Sequence, residues 1–293
     1  MTFTLSLRRI KNPIRRLSLL AAFSLTAIGL LSSLPASAAD FVARDATRYP
    51  ENPNLSSYGL KDIVVAYESS LWPVGANMTN PDLNFIRTVY IPKVRKQNPD
   101  VIVLDIERWK FTTTTTATDW NANITKLKQV ISVFRQEMPT VKVGYYLLMP
   151  ERNWLAPCGD PRKSPSRTTA WHDRNLRLKP LADAVDIIFP SLYTFYGDTA
   201  AMACWPKYAQ ANIAEARMFG KPVWAFVWMK YHTTRAWIPA AFWRTQLNTL
   251  YANADGLVIW SMATDGDKWS WTAPWWVETA KFLKEKSLVP LTN

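Results

Sequence analysis

The chain has 293 residues, 35 cations against 23 acids, two cysteines, two histidines and 15 tryptophans. No Lys/Arg run stands beyond the N-terminal segment, which argues against nucleic acid as a partner. His172 and His232 lack ligand spacing with each other or with the cysteines, so no metal is expected.

The first element is a leader. Residues 1–16 carry Arg8, Arg9, Lys11, Arg15 and Arg16 and no acid; an apolar run follows from Leu17 to Leu31, then Ala36-Ser37-Ala38. A charged start, an apolar middle and a small-residue cleavage pattern make a secretory signal peptide. Residues 1–38 are therefore read as removed, leaving 39–293 as one domain in the periplasm or outside a bacterial cell. A membrane anchor is the competing reading, but Ser, Gly and Pro dilute the apolar run. Losing the five leader cations leaves 30 against 23, so the working protein carries +7 rather than +12. That mild surplus suits an anionic polymer and is also ordinary solubility. In an oxidising compartment Cys158 and Cys204 most simply form one disulfide.

Strand and helix patterns then alternate. Strands are expected at Ile63–Tyr67, Val101–Glu107, Val141–Leu148, Ile187–Tyr193, Pro222–Trp228 and Gly256–Ser261. Helices are expected at Asn84–Gln97, Asp119–Met138, Leu178–Val185, Thr199–Phe219, Pro239–Ala254 and Trp275–Lys286; Ile124, Leu127, Val130, Ile131 and Phe134 show the helical period most clearly. Such alternation means parallel βα units. With no glycine-rich phosphate loop after the first strand, it favours an α/β fold of the (β/α) TIM-barrel type, of seven or eight strands, over a dinucleotide-binding sheet. Two stretches that follow strands are irregular, Thr112–Thr118 and Met149–Arg174. In a barrel such loops form the active face.

The chemistry concentrates in Val101-Ile-Val-Leu-Asp105-Ile-Glu107-Arg-Trp109. Side chains alternate along a strand, so Asp105 and Glu107 share a face and point into the barrel at its C-terminal mouth. Two close carboxyls in a partly dry pocket resist double ionisation, which keeps a proton available. A departing glycosidic oxygen needs such a donor. The structural alternative is a capping acid plus an acid bonded to Arg108. Tyr193 and Trp260 also end strands at the mouth, and Trp224, Phe226 and Trp228 share one strand face. Exported and rich in tryptophan, the chain suits stacking on the apolar faces of sugars.

These motifs resemble those of the animal and venom hyaluronidase family. Leu104-Asp105-Ile106-Glu107-Arg108-Trp109-Lys110 is similar to its I-D-W-E-E-W-R; Gly144-Tyr145-Tyr146-Leu-Leu-Met-Pro150 to G-Y-Y-L-F-P; Phe189-Pro-Ser-Leu-Tyr193 to Y-P-S-I-Y; Gly256-Leu-Val-Ile-Trp260 to G-V-V-L-W. Pro222-Val223 opens the next strand as there. The resemblance implies a barrel hydrolysing N-acetylhexosamine glycans with no cofactor. In it Glu107 is the acid/base, Asp105 assists the substrate's acetamido group, and Tyr193 bonds near that group. Trp109, Lys110, Tyr145, Tyr146, Trp228, Trp260 and Asp265 are then candidates for holding substrate. Ile106, Arg108, Lys110 and Phe226 depart from the family pattern, and the family's several disulfides are missing. Asp265 or Asp267 as a protein nucleophile is one alternative, and a non-catalytic sugar-binding barrel another. A monomer is expected.

Overall fold

The computed structural model describes residues 41–262 and 266–290; the expected leader, residues 1–38, and Asp265 lie outside them. The elements are β1 Val42–Ala46, β2 Lys61–Asp62, β3 Val64–Tyr67, α1 Leu83–Phe85, α2 Ile91–Arg95, β4 Val101–Asp105, α3 Ala117–Glu137, β5 Lys142–Tyr145, α4 Leu155–Cys158, α5 Ser164–Leu176, α6 Lys179–Ala182, α7 Thr199–Arg217, β6 Trp224–Trp228, α8 Ala240–Asn253, β7 Gly256–Trp260 and α9 Pro274–Glu285. A π-helical turn, Ile86–Tyr90, joins α1 to α2. Pro92, just beyond it, has no N–H to give the helical ladder.

All paired strands are parallel, in the orders β2-β1-β7-β6 and β3-β4-β5. Two connections close them into one ring. β2 and β3 are a single stave that pairs with β1 through its first half and β4 through its second. Residues 188–191 bridge β5 to β6 through Tyr146↔Phe189, Ile188↔Val223 and Ser191↔Phe226. This stave is irregular because Pro190 has no N–H for the ladder, although its carbonyl still accepts from the Phe226 N–H at 2.9 Å. The described residues therefore form a closed (β/α) barrel of seven staves.

Inside the barrel, Val103, Phe189, Phe226 and Val258 are buried. Phe226 meets Tyr146 edge-on at 4.9 Å and Phe189 at 5.9 Å. Gly144 makes room for this layer: a Cβ there would lie 2.7 Å from the Phe189 ring and 2.2 Å from the Ile187 carbonyl oxygen. Outward, Ile102, Leu104 and Ile106 are fully buried in the main core, together with Leu127, Val130 and Phe134 of α3. Burying such side chains stabilises by roughly 1.5–3 kcal/mol each.

The structure differs from the sequence reading in three places. β1 was not expected, because Arg44-Asp45 interrupts its apolar run. The Met149–Arg174 stretch holds α4 and α5; α5 carries Pro165 in its first turn, where no N–H is required, and only Trp171 and Asn175 are buried on it. The threonine run builds a local turn and a cap. Thr115 Oγ1 accepts from the Thr112 N–H, and Thr116 Oγ1 accepts from the Asp119 N–H to start α3. One flank is bare. The β1–β2 connection has only a short 3₁₀ turn, Ser56–Tyr58, in place of a crossover helix. A groove of about 1290 Å³ opens there, lined among others by Asp45, Asp62, Val64, Tyr90 and Gln97.

Candidate active site

The strand ends on the C-terminal face surround a cavity of about 460 Å³. β4 supplies Asp105 and, two residues past its end, Glu107. β3 ends in Tyr67, which sits opposite Asp105 in register. Tyr146, Tyr193, Trp228 and Trp260 complete an aromatic wall above Phe226. Tyr193 stacks on Trp260 with centroids 5.5 Å apart, and Trp228 meets Trp260 edge-on at 5.2 Å. The Trp260 indole N–H donates to the Tyr67 hydroxyl at 2.8 Å, fixing the ring in place.

The two acids are unpaired. Neither Asp105 nor Glu107 has a hydrogen-bond or ion-pair partner among the described residues. Arg108 does not take Glu107: its guanidinium donates to Glu68 Oε1 at 3.1 Å and lies over the Trp72 ring. Burial raises the Asp105 pKa from 3.8 to about 7, and the neighbouring charges of Glu107 and Glu68 add to the rise. Asp105 is partly buried and Glu107 exposed. Below about pH 7 the pair thus retains a proton at the cavity. Burial also pushes up the hydroxyls of Tyr67, Tyr146 and Tyr193, which keeps them neutral donors and acceptors. Tyr146 and Ser191 share a hydrogen bond of 3.0 Å.

Several expected substrate contacts lie elsewhere. Tyr145 is fully buried on the opposite face of β5, and its hydroxyl donates to the Leu127 carbonyl of α3 at 2.9 Å. Strand alternation lets only one of the two adjacent tyrosines face inward, and that one is Tyr146. Trp109 is buried edge-on against Trp72 at 5.7 Å with Lys126 over its ring. The chain bends after Glu107, so strand alternation no longer carries Trp109 into the barrel. Lys110 is exposed away from the cavity, and its backbone carbonyl accepts from Asn123. Asp267 is taken by the buried Lys230.

The cavity also contains residues that the sequence did not single out: Tyr67, Arg152, His232 and Met262. Tyr67 was visible as a strand-terminal aromatic; Arg152 and His232 come from loops with no period to place them. Three arginines stack on rings of the cavity or its rim. Arg48 covers Tyr67 at 4.6 Å, Arg152 covers Phe195 at 4.2 Å and Arg235 covers Trp228 at 4.7 Å. None of them pairs with a described carboxylate. Partial burial, then the charges of Arg152 and Arg235, push the His232 pKa below its ordinary value. On the same face the disulfide Cys158–Cys204 fastens α4 to α7.

Solved structures share this fold. Bee venom hyaluronidase aligns over 85% of this chain and 99% of its own, at 17% identity and a TM-score of 0.57. Its complex with a hyaluronic acid tetramer aligns over 84% and 96%, at 16% identity and a TM-score of 0.59. The two proteins share a fold. No protein-family model and no curated protein sequence matches the chain.

Proposed function

We propose that residues 39–293 are an exported glycoside hydrolase, secreted or periplasmic, acting as a single-domain monomer on glycans that contain N-acetylhexosamine. The observation that carries this reading is the unpaired carboxyl pair at the end of β4, facing a cavity walled by Tyr146, Tyr193, Trp228 and Trp260. A structural acid would have been given a cation or backbone donors; among the described residues these have neither. Among the described residues no helix is long and apolar enough to cross a membrane. The disulfide suits an oxidising compartment.

In the proposed mechanism the proton that the pair retains passes from Asp105 to Glu107 as substrate binds, and Glu107 donates it to the glycosidic oxygen as the C–O bond breaks. The substrate's acetamido oxygen attacks the anomeric carbon from the other face. Asp105 accepts a hydrogen bond from the acetamido N–H and balances the positive charge that develops. Water then opens the cyclic intermediate, giving its proton back to Glu107, and the anomeric configuration is retained overall. Tyr193 bonds near the acetamide and Trp260 walls the pocket that receives it. Three arginines with no carboxylate partner among the described residues favour an anionic glycan. Asp267 is a poor nucleophile while Lys230 holds it, which weighs against a protein-bound glycosyl intermediate.

The test is hydrolysis of hyaluronan and chitin oligosaccharides, with products read by mass spectrometry. Matched substrates in which hydroxyl replaces acetamide should survive intact. Equal turnover of both would overturn substrate assistance, and binding without turnover would leave a lectin-like barrel.

A further inference from the structure

The aromatic wall does not stop at the cavity. Tyr193 stacks near His232 at 6.2 Å, His232 lies on Phe195 at 4.3 Å, Phe195 adjoins Tyr196 at 6.5 Å, and Tyr196 meets Trp154 at 5.3 Å. This run leads out of the pocket across three loops, those after β6, after the irregular stave and after β5. Its far end is open: Tyr196 is 49% exposed, and Phe195 and Trp154 are only partly buried. The Tyr196 hydroxyl and the Trp154 indole N–H bond no described residue. The platform is nevertheless firmly held. Trp154 rests on the buried Tyr208 of α7 at 5.0 Å, and it immediately precedes α4, which the disulfide ties to that same helix.

Rings that only filled a core would be covered. Rings with open faces and unused donors suit sugars, which present apolar C–H faces and hydroxyl edges together. Backing by a fixed helix lowers the entropy of ordering them when a ligand arrives. We infer that Phe195, Tyr196 and Trp154 form an extended sugar-binding subsite continuous with the catalytic pocket, on which glycan units beyond the reacting sugar stack. The chain would then be selective for oligosaccharides and polymers over short substrates. The Met149–Arg174 insertion would be a specificity element clamped by Cys158–Cys204. This inference rests on the glycosidase reading above.

The experiment measures kcat/KM for a series of hyaluronan and chitin oligosaccharides, from disaccharide to octasaccharide, in wild type, Tyr196→Ala, Tyr196→Phe and Trp154→Ala. Wild type should improve with chain length. Tyr196→Ala should lower the ratio of long-chain to short-chain kcat/KM by roughly tenfold, as expected for loss of one aromatic contact. Tyr196→Phe should keep most of the ratio, because the ring remains. Trp154→Ala should act in the same direction; if it lowers the melting temperature, the half-exposed Tyr196 carries the test. A folded Tyr196→Ala variant with the wild-type length dependence overturns the subsite while leaving the glycosidase reading intact. A wild-type enzyme that cleaves no member of the series overturns that reading, and the subsite falls with it.

Discussion

The two ends of β4 treat an aspartate in opposite ways. Asp100, just before the strand, receives Arg44 in a two-pronged pair at 2.8 and 3.0 Å and Lys61 at 2.9 Å. Although partial burial opposes it, these cations hold the Asp100 pKa down to about 2. Asp105, at the other end, has no cation bonded to it among the described residues; burial, with the carboxylates of Glu107 and Glu68 as neighbours, raises its pKa to about 7. Arg44 is itself buried and stacked over Trp224 at 5.1 Å, so the N-terminal end of the barrel carries a cluster of paired charges. On the proposed function, the difference separates structural charge from reactive charge within five residues of one strand. A barrel needs its floor neutralised, whereas catalysis needs groups at the mouth left unsatisfied until substrate comes.

The strongest way to break the contrast is to remove the transferable proton. Glu107→Gln should lower turnover by about 10²–10⁴-fold while the melting temperature stays near wild type, since the side chain is exposed and unpaired. Turnover and melting on the same preparation check it; a stable variant with normal turnover ends the mechanism.

At the floor the outcome should invert. Arg44→Ala removes a buried bidentate partner, so it should cost roughly 1.5–3 kcal/mol of stability, with the pH dependence of the turnover that remains unchanged. The cost has a signed pH dependence. Asp100 contributes stability above its unfolded pKa of 3.8, and that contribution disappears as pH falls through about 2. Denaturant titrations of wild type and variant should therefore converge in strong acid.

The smallest effect sharpens the comparison from the mouth. Because the Asp105 pKa is raised in the folded state, its contribution is fully present below pH 3.8 and is lost as pH rises through about 7. Asp105→Asn should grow more stable relative to wild type across that window, by a few degrees in melting temperature, while cutting the hydrolytic rate. A stability difference that stays flat with pH would mean Asp105 is not buried beside Glu107 as described.

The barrel was legible in the sequence wherever one physical signal dominated. Ile102, Leu104 and Ile106 face helices and Asp105 and Glu107 face the cavity, an alternation that can be read from spacing. β1 was hidden because its inward Arg44 serves a partner 56 residues away. The placement of Trp109 depended on a bend, and that of Arg152 and His232 on loops whose conformation no periodicity encodes. Tyr145 was an avoidable error, since the period of two already excluded it beside Tyr146. The cysteine pair was readable because two cysteines allow only one intramolecular partner, and the bond is present.

The missing rib between β1 and β2 bears on how the barrel breathes. Each other stave is followed by a helix, whereas β1 is followed by a loop and a 3₁₀ turn, and Lys61 and Asp62 at the start of the next stave are exposed. Amide protons there are protected by strand pairing alone, with no helix to move aside before water enters. Hydrogen exchange should accordingly run fastest, among the barrel staves, in the stave formed by β2 and β3, which opens locally while β4 and β7 stay closed.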